Sequence, residues 1–137
     1  MQLVVHALAG AALGTQTVRP VLAVVAGIVS HVLLDELPHR DTKHPIVIAA
    51  DLAAALVLLG VLAADARTLP AAVGGLGGML PDVEFLLMAA HWRTPHQSII
   101  PHHRVGDPVR PTSRLTNAFV QGAVVTASLL VLLGALG

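Results

Sequence analysis

Residues 30–41, Ser-His-Val-Leu-Leu-Asp-Glu-Leu-Pro-His-Arg-Asp, bring Asp35, Glu36, Asp41, His31 and His39 together at the end of an apolar run. The stretch covers about three helical turns. Ionisable groups at membrane depth cost about 3 kcal/mol each or more unless something pairs with them. His31 and Asp35 are four residues apart, so on a helix they stack on one face. Imidazole and carboxylate side by side are the donors a divalent ion such as zinc takes. His39 follows one turn later, beyond Pro38. The bland alternative is a helix end at an interface, with His31 hydrogen-bonded to a neighbour.

A second acidic element is Leu80-Pro81-Asp82-Val83-Glu84. Pro81 removes a backbone donor, which loosens the turn and can aim Asp82 into a cavity as a ligand or general base. Glu84 points elsewhere on a regular helix. His6 lies alone on an apolar face. Asp51 reads either as a direct ligand or, slightly preferred, as a group orienting a ligand histidine from behind. Between residues 91 and 114 stand His91, His96, His102 and His103, with Arg93, Arg104 and Ser98 among them. His96 or its neighbours would fold over the site as an acid/base, further ligands or an anion clamp; the plain alternative is a basic loop. No phosphate-binding glycine loop and no G-x-S-x-G elbow occur.

Composition says what must position these groups. The chain has 137 residues, 55 % apolar and 12 % charged, with a mean hydropathy of +0.77. Soluble domains carry roughly 25 % charged residues. Such an excess of apolar residues implies a bilayer or a large oligomeric interface, and the bilayer is simpler; a homo-oligomer stays open. Net charge is zero with histidine neutral, so no basic face invites nucleic acid. Cysteine is absent, which excludes thiolate ligands and a cysteine nucleophile. Residues 1–14 lack the basic start and small-residue cleavage site of a signal peptide and read as a retained helix.

Apolar segments predict helices over about 2–18, 21–37, 45–64, 70–90 and 115–136, within a single membrane domain spanning residues 1–137. The fold class is all-α, a polytopic membrane bundle of about five transmembrane helices. Pro20, Pro45 and Pro70 suit helix starts. Gly74, Gly75, Gly77 and Gly78 permit close helix contact. Five crossings place Arg40, Lys43, Arg93, Arg104, Arg110 and Arg114 on one side and Arg19 and Arg67 on the other. The positive-inside rule then predicts a multi-pass protein with a cytoplasmic N-terminus. In that topology His6, His31, Asp51 and Asp82 all lie roughly 7–12 Å below the cytoplasmic rim. A polar layer of that kind is a site.

His6, the His31-x-x-x-Asp35 spacing in Ser-His-Val-Leu-Leu-Asp, and Leu80-Pro81-Asp82 together resemble the small integral-membrane metal-dependent hydrolases of bacteria and archaea. That group includes LexA-binding inner-membrane hydrolases. More distantly, His-x-x-x-Asp followed by Pro38-His39 resembles a motif of zinc-dependent phospholipase C. The family continues Leu-Pro-Asp with x-Asp-His, where this chain has Val83, Glu84 and Phe85. Its His-Arg-x-x-Thr-His-Ser element is matched in spacing by His39-Arg40 and His44, with Lys43 and Pro45 substituted, or more loosely by His91-x-Arg93-x-x-His96-x-Ser98. The resemblance implies an inner-membrane location and hydrolysis of a phosphoester or lipid-like substrate at a membrane-embedded metal.

The expectation is therefore one or two divalent ions, zinc foremost, held by His31, Asp35, Asp82 and His6 or His39. A water acidified by the ion would be the nucleophile, with a second carboxylate or a loop histidine handling protons. A metal-ion or proton transporter is the alternative, but it needs polar groups continuing to the far side, where the helices are nearly pure Ala, Leu, Val and Gly. A non-catalytic scaffold needs no polar layer.

Overall fold

A computed structural model describes residues 2–40, 44–89 and 112–137. They form five helices and, among the described residues, no strand: α1 (Leu3–Gly14), α2 (Pro20–Asp35), α3 (Pro45–Ala63), α4 (Leu69–Ala89) and α5 (Arg114–Leu136). Pro20 and Pro45 open α2 and α3, where a missing N–H costs nothing. Ser113 caps α5, its Oγ accepting from the Thr116 N–H at 3.0 Å. Ser113→Ala should cost about 1 kcal/mol. A lower thermal midpoint in detergent checks it.

The first helix is shorter than its apolar run suggests. It stops at Gly14, because Thr15 and Thr17 turn their hydroxyls back onto the carbonyls of Ala12 and Gly14 at 2.7 and 3.1 Å. Arg19 is extended, as a residue before proline must be. At about 1.5 Å per residue, α1 and α2 are about 18 and 24 Å long, short of the roughly 30 Å hydrocarbon core. Among the described residues, two helices, α3 and α5, are long and apolar enough to cross a membrane. α4 has 21 residues, but its glycines, Pro81, Asp82 and Glu84 dilute its apolar character.

α4 packs on α1, α2 and α3, and α1 also contacts α2, α3 and α5. The α1–α4 contact is backbone on backbone. Gly10 and Gly14, one turn apart, face Gly74 and Gly78, also one turn apart, and Cβ atoms at these positions would run into the opposing carbonyls. Gly27 brings α2 equally close to Gly74, Gly77 and Gly78. α4 continues through Pro81, which supplies no N–H to the Gly77 carbonyl.

The interior is unusual in what it holds. The largest fully buried side chains are His6, His31 and Val5, whereas Val18, Ile46, Val57, Leu115, Phe119 and Leu133 stand exposed. Aliphatic contacts such as Leu8, Ala11, Ala12, Leu62 and Leu132 cement α1, α3 and α5 at the other end of the bundle. A domain folded in water would put its valines and leucines where these histidines are. Polar side chains sit among the most buried groups while large apolar ones stand exposed.

Candidate metal centre

His6 comes from α1, His31 and Asp35 from α2, and Asp82 from α4. The glycine contacts bring these three helices close enough for the side chains to meet. His6 and His31 are 1 % and 0 % exposed, and their rings stack with centroids 3.9 Å apart. Each presents Nε2 to a different oxygen of one carboxylate. His6 Nε2 lies 3.1 Å from Asp35 Oδ1, and His31 Nε2 lies 3.1 Å from Asp35 Oδ2. His6, His31 and Asp82 each offer one ligand atom, all within 4.8 Å of one another.

The opposite edge of His31 decides its tautomer. Nδ1 lies 2.8 Å from the Gly78 carbonyl oxygen, which can only accept, so Nδ1 carries the hydrogen. In the neutral ring the Nε2 lone pair then faces Asp35. A lone pair and a carboxylate oxygen 3.1 Å apart repel each other unless a proton or a metal cation stands between them. A backbone carbonyl holding one ring nitrogen while the other faces the ion is the common arrangement around metal-bound histidine. His6 Nδ1, moreover, is buried and meets no hydrogen-bond partner among the described residues. Buried polar atoms are rarely left so.

The spacing fits an ion. Zinc binds imidazole nitrogen and carboxylate oxygen at about 2.0–2.2 Å, so two donors of one ion lie about 3–4 Å apart. The two 3.1 Å approaches of imidazole Nε2 to Asp35 are on that scale. The donor set of two imidazoles and two carboxylates suits zinc or another borderline divalent ion.

Among the residues singled out from sequence, His6, His31, Asp35 and Asp82 converge. His39 stands at the edge, its Nε2 3.9 Å from Asp35 Oδ1 and its Nδ1 2.8 Å from the Leu37 carbonyl. Glu84 is buried on α4. His44 is the exposed N-cap residue of α3, and its carbonyl accepts from the Ile48 N–H. His96, with His91, His102, His103, Arg93, Arg104 and Ser98, lies outside the described residues, as does Lys43. Asp51 does not touch a histidine in the contacts seen. Its oxygens accept from the Leu3 and Val4 N–H groups at 2.6 and 3.1 Å, so it meets the backbone at the start of α1 and not a ligand ring directly.

Sequence reasoning missed the Gly78 carbonyl, which no side-chain pattern marks. It also passed over Gly10 and Gly14, although their four-residue spacing matches that of Gly74 and Gly78. Asn117 and Gln121, four apart on α5, were a legible polar pair in an apolar helix. Asn117 Oδ1 accepts from the Arg40 N–H at 2.7 Å and from Gln121 Nε2 at 2.9 Å, tying the segment after α2 to α5. No protein-family model, curated protein or solved structure gives a significant match to this chain, so its chemistry is read from its own residues.

Proposed function

We propose that the chain is a membrane-embedded, metal-dependent hydrolase that acts on a phosphoester or lipid-like substrate. One observation carries the reading: His6, His31 and Asp82 converge from three helices while both imidazoles press on the Asp35 carboxylate. The exposed aliphatic surface and the two long apolar helices support placement in a bilayer. On this reading the helices form a multi-pass bundle in the inner (cytoplasmic) membrane, with the site opening toward the cytoplasm.

His6, His31, Asp35 and Asp82 would supply the donors for one divalent ion, zinc fitting the set best, with a position left for water when Asp82 stands off the ion. Such an ion supplies Lewis acidity toward a carbonyl or phosphoryl oxygen and lowers the pKa of water toward neutrality. The chain's own groups do the rest. The Gly78 carbonyl holds the hydrogen of His31 on Nδ1 and so keeps Nε2 turned to the site. Asp82, with its side chain 24 % exposed against 11 % for Asp35, meets an incoming substrate first and is placed to hold a proton. Asp35, between two imidazoles, keeps both rings in register.

Elemental analysis of the detergent-purified protein tests this. About one equivalent of a divalent ion is expected in the wild type and near none in His31→Ala or Asp82→Ala. Phosphoester hydrolysis in lipid vesicles should disappear in the same variants. A wild type that takes up no ion when zinc is supplied, or equal content in all three proteins, would overturn the proposal.

A further inference from the structure

The first turn of α1 is capped by another helix. A helix leaves its first four N–H groups without intrahelical partners. In α1 the Gln2 carbonyl accepts from Val5 at 3.0 Å and His6 at 3.3 Å, and the Gln2 side chain makes no capping bond. Two of the orphan donors, Leu3 and Val4, are taken by Asp51, 48 and 47 residues away on α3. Both oxygens of one carboxylate are used, at 2.6 and 3.1 Å. Apolar packing of Leu3, Val4 and Ala7 around Leu52 and Ala55 continues the same contact.

We infer that Asp51 is a positioning residue: by capping α1 from α3, it sets the height at which His6 meets Asp35. His6 is only two residues beyond Val4, about 3 Å along the axis. The paired hydrogen bonds fix the register of the start of α1 along α3. The carboxylate also offsets an electrostatic problem. The helix N-terminus carries about half a positive charge, which next to His6 would oppose binding of a cation. Asp51 offsets it through its two bonds to the Leu3 and Val4 N–H groups.

The effect on metal binding rests on the hydrolase reading, whereas the effect on His6 does not, and the test separates them. The full chain in detergent, metal-free and with ¹⁵N-labelled imidazoles, is compared with Asp51→Ala. Shifted His6 ring resonances with unchanged His44 resonances are expected. Unchanged His6 resonances would overturn the inference. Zinc titration follows: Asp51→Ala should weaken binding about tenfold or more, and Asp51→Asn, which keeps one acceptor, should weaken it less. In a His6→Ala background Asp51→Ala should cause no further loss, because its action passes through His6. A second, equal loss there would mean general damage and refute a positioning role. A wild type that binds no zinc refutes the metal reading, and the resonances still decide the role of Asp51.

Discussion

Gly78→Leu is expected to leave almost no folded protein. A Cβ at this position would run into the His6 carbonyl oxygen and lie 3.0 Å from its carbon. Those are backbone atoms of a packed helix, so no rotamer change relieves the clash. Overpacking of a core costs about 1–3 kcal/mol even where side chains can shift, and here they cannot. The loss should exceed ~3 kcal/mol, a large share of a stability of about 5–15 kcal/mol. Displacement of α4 would also carry the Gly78 carbonyl away from His31 Nδ1, so packing and site chemistry fail together. Gly122→Leu provides the control, because nothing lies within 4 Å of a Cβ there. Size-exclusion profiles and thermal unfolding by circular dichroism in detergent should show aggregation for Gly78→Leu and a wild-type profile for Gly122→Leu. A stable Gly78→Leu protein would mean that α1 and α4 do not pack through these glycines.

Asp35→Ala should cause the greatest loss of metal among single substitutions at the site. Its two oxygens face different imidazoles, so one deletion removes a ligand and the brace between both rings. His6 and His31 would then be buried side by side with no anion against their Nε2 atoms. Removing one partner of a buried ionic pair costs about 3–5 kcal/mol; Asp35, whose side chain is 11 % exposed, should lie near the low end. Zinc affinity should fall more than about a hundredfold, beyond what outer-shell changes cause. His39→Ala, 3.9 Å from the same carboxylate and at the rim, should lose about tenfold or less. Competition titration with a chromophoric chelator measures both. Equal losses would place His39 inside the ligand set, and no loss in Asp35→Ala would remove Asp35 from it.

Much of this arrangement was legible before any coordinates. The helix count and most boundaries follow from apolar runs punctuated by prolines, as α2 and α3 show by starting on Pro20 and Pro45. His31 and Asp35 are tied by helical geometry alone, since four residues on one helix cannot place them far apart. His6 and Asp82 were marked as ionisable groups in apolar surroundings, which a chain seldom carries without a use. Helix length was harder to read. The expected helix runs to about residue 18, but the chain turns polar after Gly14, and the Thr15 and Thr17 hydroxyls end α1 there by bonding back to its carbonyls.

Composition and spacing by themselves determined the all-helical architecture, the absence of thiol chemistry and the kinds of donor a metal would meet. Only the tertiary structure decided which donors face one another. Helical periodicity relates residues within a helix, whereas the register between helices depends on backbone approach. Here that approach was set by Gly10 and Gly14 against Gly74 and Gly78. The same packing made a bare carbonyl, that of Gly78, the group that orients His31. It also turned Asp51 away from the imidazoles and onto the end of α1. A carboxylate's residue type is the same whether it grips a metal or caps a helix, and only the position of its neighbours tells the two apart.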